Sequence, residues 1–221
     1  SVIGTGLLWV GWFGFNAGSA LSAGGSAGYA MLVTNAAAGA AALVWILIAL
    51  AHKGKASVQG ALSGVVAGLV AITPAAGFVD FGASLAIGLI AGLICYAAVI
   101  YSKLWVRYDD ALDVFALHGI GGIVGAILTG VFANPAIGTA SGLLFGNPGQ
   151  IGAQVASIAV VAVYSGAVTF ALLMIVRMVT GLRVAPRVEY RGLDLALHGE
   201  TIAETPPQRA FLSPVKPART G

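Results

Sequence analysis

The sequence predicts an all-α integral membrane protein with six transmembrane helices, and three observations predict it. Of 221 residues, 58% are hydrophobic and only 9% charged, with a mean hydropathy of +0.94. A water-soluble domain carries about 25% charged residues, so this chain cannot clothe a water-facing surface. The apolar residues gather in six runs, at about 2–22, 31–51, 57–78, 82–103, 111–133 and 150–180. Each is near or above the ~20 residues with which a helix crosses a bilayer. The basic residues sort to one side. Lys53 and Lys55 follow the second run, and Lys103 and Arg107 the fourth. Arg177, Arg183, Arg187, Arg191, Arg209, Lys216 and Arg219 lie at or beyond the end of the sixth, while the loops 23–30, 79–81 and 134–149 hold no Lys or Arg. By the positive-inside rule the basic side is cytoplasmic, and both chain ends lie there. The runs lack the period-2 alternation of barrel strands, which leaves helices as the spanning element. The net charge of +3 is scattered between apolar runs. It forms no basic patch, so nucleic acid is not an expected partner.

The chain starts at Ser1 without a basic leader or cleavage site, which reads as part of a longer protein rather than a signal peptide. In the first run, Trp12, Phe15 and Ser19 recur at spacings of three and four and share one helix face in its outer half. Two readings stay open for this face. It is a site where aromatic rings and a hydroxyl hold a small cation, or an interfacial aromatic belt with a packing serine. Asn16 is expected to make an inter-helix hydrogen bond. In the third run, Thr73-Pro74 marks an early end or a bend near the outer surface, either a simple kink or the lining of a mouth. Cys95, the only cysteine, reads as a small core residue. The 32 glycines suit close helix packing.

Asp109, Asp110 and Asp113 stand at the cytoplasmic start of the fifth run and read as helix-capping acids. With no His, Cys or Glu beside them they do not form a metal set, and no metal or cofactor is expected. His118 lies ~12–14 Å further in, at ~1.5 Å per residue, close to the middle of a ~30 Å hydrocarbon layer. An imidazole there points to a substrate path or a proton relay. His52 and His198 read as solvated surface residues. An intramembrane enzyme would need a second catalytic group at helical spacing, such as HExxH, and the sequence has none. Residues 1–180 form the membrane domain and 181–221 a polar tail, with 205–221 expected to be disordered.

Four stretches go beyond generic membrane logic: WFGFNAGSAL at 12–21, GLVAITPAAGFV at 68–79, DDALDVFALHGIGGIVGAILTGVF at 109–132 and GLRV…GLDLALHGE at 181–200. Together, in this order and spacing, they resemble the ammonium transporter (Amt/Mep/Rh) family over nearly the whole chain. The resemblance implies an eleven-helix fold of two inverted five-helix halves and a last helix, assembled as a homotrimer in the cell membrane. This chain is similar to the second half with the last helix. The resemblance also implies roles. Phe15 is one of two stacked phenylalanines gating the pore, and Ser19 is the hydroxyl of an outer ammonium site. Trp12 lines the pore, Thr73 belongs to the vestibule, and His118 is one of twin pore histidines. The partner phenylalanine, the ring of the outer site and the other histidine all belong to the other half. The resemblance, which includes the tail motif GLDLALHGE, further implies docking of a PII-type signal protein at the cytoplasmic face. The stretch before that motif, with Pro186 and Arg187, is less acidic than the family pattern. A sensor of the same fold, signalling through its tail, and a half that is inactive on its own are the alternatives to a transporter.

Overall fold

A computed structural model of the chain describes residues 1–101 and 110–200. Asp109, Lys103, Arg107 and the tail segment 205–221 lie outside the described residues. Every regular element among the described residues is helical: α1 (Val2–Gly18), α2 (Gly25–Lys53), α3 (Val58–Ile72), α4 (Phe81–Tyr101), a π-helical turn (Phe115–Ile120) running into α5 (Gly121–Phe132), a 3₁₀ turn (Leu143–Phe145), α6 (Gly149–Val179), α7 (Pro186–Arg191) and a second π turn (Asp194–His198). Residues 1–163 form one compact unit and residues from 164 onward a second, the division falling inside α6.

Among the described residues, four apolar helical segments are long enough to cross a membrane: α2, α4, the joined π turn and α5 (Phe115–Phe132), and α6. Two of the expected spans stop well short of the ends of the apolar runs that announce them. α1 stops at Gly18 rather than near residue 22. There Ala20 N–H donates to Ala17 O and Leu21 N–H to Gly18 O, tight turns that unwind the helix, and Leu21 takes a left-handed φ of 55°. α3 stops at Ile72. Pro74 has no N–H to give Val70 O, and Thr73 N–H takes that carbonyl instead at 3.2 Å. The Thr73 hydroxyl donates to Leu69 O at 2.8 Å, and Ala75 N–H takes Ile72 O at 2.8 Å, so side chain and turn together satisfy carbonyls the helix no longer serves.

The ends of the other helices follow ordinary capping chemistry. α2 closes on Gly54, whose φ of 71° suits glycine and whose N–H donates to Leu50 O. Ser57 caps α3 by accepting from Gly60 N–H at 2.9 Å. Asp80 does the same for α4 through Ala83 N–H at 2.9 Å.

The core of the first unit sits where α3 and α4 close on α2. Ala37, Ala38 and Ala41 of α2 are fully buried. They face Gly64 and Gly68 of α3 on one side and Gly88 and Gly92 of α4 on the other. A Cβ at Gly88 would run into the Ala37 backbone. In lipid, helices gain little by hiding apolar surface from one another, and close backbone approach through small residues carries their packing. Gly88→Val is therefore expected to cost about 2–3 kcal/mol through forced separation of α2 and α4. The check is a thermal unfolding midpoint in detergent, and an unchanged midpoint would mean the two helices are not in such close contact. Trp45, Tyr96 and Cys95 are buried in the same part of the core, with the Trp45 and Tyr96 rings edge to face at 5.3 Å.

In the second unit, α6 continues through residues that are nearly all exposed. α7 follows, with Pro186 in its first turn. Arg183 grips Glu189 through two hydrogen bonds of 2.7 and 3.1 Å. That guanidinium holds the Glu189 carboxyl below its ordinary pKa.

Candidate functional site

α1 carries three of the residues singled out from the sequence. It is a lightly anchored helix, whose buried residues are the two polar ones, Thr5 and Asn16. Its large apolar side chains are largely exposed, Phe15 among them at 62%. Gly4, Leu7, Leu8, Gly11, Trp12 and Phe15 line an open, almost wholly apolar groove of about 450 Å³ along this face.

Trp12, Phe15 and Thr73 come together. Trp12 Nε1–H donates to Thr73 Oγ1 at 2.8 Å, and the Trp12 and Phe15 rings lie 6.0 Å apart at 56°. Ser19 is the C-cap residue that ends this helix, ~10 Å further along the axis from Trp12 at ~1.5 Å per residue. Its hydroxyl donates to Phe15 O at 2.8 Å. The Ser19 proton is thus occupied, and its lone pairs remain to accept from an incoming N–H. Aromatic faces attract cations, so this end of α1 offers a ring surface beside an acceptor oxygen.

His118 sits in the π turn that opens the fifth apolar segment, and its side chain is exposed. The two residues before it, Ala116 and Leu117, are buried in the cluster against which Trp12 packs. Nδ1 of His118 lies 3.3 Å from Val114 O, and the other ring nitrogen has no hydrogen-bond partner among the described residues. The π turn follows from what precedes it. Asp113 adopts a left-handed φ of 57°. Asp110 then accepts from Val114 N–H at 2.8 Å with one carboxylate oxygen and from Phe115 N–H at 2.9 Å with the other. The helix thus starts at Val114 rather than at residue 111. π turns inside helices recur at functional positions. Asp110 works as a cap, and Asp113 stands just outside the helix. Neither is brought to the aromatic residues, and no cluster of metal-ligand type forms among the described residues.

Beside the Trp12–Thr73 bond, three further side-chain pairs among the described residues join positions far apart in the sequence. Asn16 Nδ2 donates to Thr34 Oγ1 at 3.0 Å, both buried, giving the expected inter-helix bond a definite partner. His52 shares a 2.8 Å hydrogen bond with the Tyr96 phenol, so it is tied to α4 rather than simply solvated. Asn134 links the loop after α5 to the one between α3 and α4, its N–H donating to Phe78 O and its side chain reaching Asp80 at 3.4 Å. A hydroxyl or amide inside an apolar run is the only sequence signal for such pairs, and it does not name the partner.

Apolar helices long enough to cross a membrane, packed together through glycine and alanine, mark a helical membrane protein. The chain belongs to the Ammonium Transporter Family, whose sequence pattern matches residues 1–203. It is 53% identical over 204 residues to a putative ammonium transporter of Methanothermobacter thermautotrophicus, covering 91% of this chain and 50% of that one. It is 52% identical over 198 residues to an ammonium transporter of Aquifex aeolicus, covering 90% and 47%. The chain thus spans about half the length of these relatives. Its fold matches the crystal structure of Saccharomyces cerevisiae Mep2 with a TM-score of 0.79 at 37% identity, over 84% of this chain and 43% of that one. A structure described as a sensor Amt protein matches with a TM-score of 0.81 at 31% identity, over 89% and 48%.

Proposed function

We propose that this chain supplies the second half of an ammonium-conducting pore in a cell membrane. In this reading all six apolar runs span the bilayer, with α1 and α3 as short or broken members. The chain takes the place of the second half, with the last helix, of an eleven-helix fold. Three such pores assemble as a homotrimer with the C-terminal tail in the cytoplasm, where it offers a site for a PII-type signal protein. Trp12, Phe15, Ser19 and Thr73 form the outer recruitment side, and His118 supplies polar contact inside the pore.

The observation that carries the reading is the grouping of Trp12, Phe15 and Thr73 on α1 and α3, with the Ser19 acceptor at the end of the same helix, in a chain of this family. The physics runs in sequence. Ammonium exchanges part of its water for ring faces and a hydroxyl oxygen. A charge in a narrow apolar passage is strongly penalised. Ammonium gives one proton to water at the pore mouth, from where it returns to the outer solution or crosses by a separate route, and neutral ammonia passes with His118 as a hydrogen-bonding partner on the way. The open groove on α1 suits a wall completed by the other half of the fold.

The test is ammonium-dependent current on solid-supported proteoliposomes, with this chain alone and with this chain co-expressed with the first half of a related transporter. Current is expected only from the pair. No current from a folded pair would favour a sensor, a reading kept open by the likeness to the sensor Amt structure. A vesicle pH assay then separates a sensor from purely neutral ammonia flux.

A further inference from the structure

α1 is held to its neighbours in an unusual way for an apolar helix. Its large apolar side chains are mostly exposed, and its only buried residues are polar. Lipid tails are as apolar as leucine, so an apolar face does not fix how such a helix is rotated against the bundle. Interhelical hydrogen bonds do.

Two of these bonds share one construction. Trp12 Nε1–H donates to Thr73 Oγ1 on α3, and Thr73 passes its own proton to Leu69 O at 2.8 Å. One turn further along α1, Asn16 Nδ2–H donates to Thr34 Oγ1 on α2, and Thr34 passes its proton to Ala30 O at 2.6 Å. In both cases the threonine proton is committed to the carbonyl four residues back. The hydroxyl oxygen is thereby fixed as an acceptor and aimed by its own helix. Each threonine receives one N–H from α1, and the two donors, four residues apart, lie on the same side of that helix.

We infer that Thr34 is a positioning residue. Thr34 and Thr73 together clamp the outer half of α1 at two points and set the rotation that presents the Trp12–Phe15 aromatic pair. This deepens the pore reading and rests on it for its functional consequence, though not for its structural one. One point of attachment leaves a helix free to turn about that point, whereas two on different neighbours do not. Phe15 lies between the two donors in sequence, and its ring has no buried packing to hold it otherwise, being 62% exposed. α1 also ends two residues after Asn16, at Gly18, so nothing helical beyond the clamp steadies it.

The test uses the chain in lipid nanodiscs with its four tryptophans labelled with ¹⁵N at the indole nitrogen, each resonance assigned by Trp→Phe replacement. Thr34→Val keeps the shape and removes the acceptor. It is expected to move the Trp12 indole resonance and to speed its exchange with solvent about tenfold, because a bond no longer held at both ends opens more often. Trp45 is expected to be unaffected, and Thr34→Ser, which keeps the hydroxyl, to restore Trp12. An unchanged Trp12 signal in Thr34→Val, or a Thr34→Ser variant that behaves like valine, would overturn the inference. If Thr34→Val does not fold, Asn16→Leu removes the donor instead and is read by the same two criteria. A second readout is the half-saturating ammonium concentration in the co-reconstituted pair, expected to rise in Thr34→Val and return in Thr34→Ser. A wild-type pair without current would count against the pore reading, and the indole signals would still decide the clamp.

Discussion

His118→Leu is expected to lower ammonium flux through the co-reconstituted pair by about 10- to 100-fold, or to change its selectivity against methylammonium, without impairing folding. The magnitude follows from the environment. A hydrogen-bonding group facing a molecule stripped of water contributes about 1–3 kcal/mol, and each 1.4 kcal/mol is tenfold in rate. Leucine fills a similar space and offers neither donor nor acceptor. The folding half of the expectation rests on the burial pattern. Ala116 and Leu117 carry the packing of this turn, whereas His118 is exposed and its hydrogen-bond contact among the described residues is to Val114 O of its own segment. Exposed substitutions away from special features change stability by about 0.5 kcal/mol or less. The π turn does not depend on the imidazole either, because Asp110 caps it from outside and Phe115 lies over Gly119. Flux and selectivity that both stay normal in a folded His118→Leu pair would take His118 out of the mechanism.

Much of this architecture is legible in the residues, and the parts that are not share a cause. α2, α4 and α6 follow from long apolar runs with clear stops, such as Gly54 after α2. The close-packed α2–α3–α4 core is foreshadowed by alanine and glycine in the same runs. Helix ends inside a continuing apolar run are hidden, because hydropathy does not change there. α1 ends at Gly18 although apolar and small residues go on, and α3 ends at Ile72 because of Thr73 and Pro74. The start of the fifth segment is displaced by the left-handed backbone at Asp113, a conformation aspartate tolerates but does not announce. Partners across helices are hidden for another reason. Asn16 signals a need for a hydrogen bond, yet nothing local points to Thr34, and His52 looks like a surface residue until Tyr96 is placed beside it. The grouping of Trp12, Phe15 and Ser19 on one face follows from spacing alone. Their relation to Thr73 requires α1 and α3 to be packed together.

Phe15→Ala is expected to raise the half-saturating ammonium concentration of the pair by about 2- to 30-fold, since an aromatic face contributes about 0.5–2 kcal/mol to holding a cation, more as water is excluded. Thermal stability and assembly are expected to stay close to those of the parent. A buried phenylalanine cut back to alanine leaves a cavity costing about 3–5 kcal/mol, but this ring is 62% exposed in the chain and lines an open groove. No comparable void forms within this half of the fold. The Trp12 ring stays in place through its bond to Thr73, so the loss reports on Phe15 rather than on a collapse of the aromatic pair. Concentration-dependent currents give the affinity, and size-exclusion chromatography of the same samples gives the assembly. Intact assembly with weakened saturation identifies Phe15 as a residue that meets the cation. Loss of assembly with unchanged saturation in the surviving complexes would instead make it a packing residue, whose ring completes the contact between the two halves.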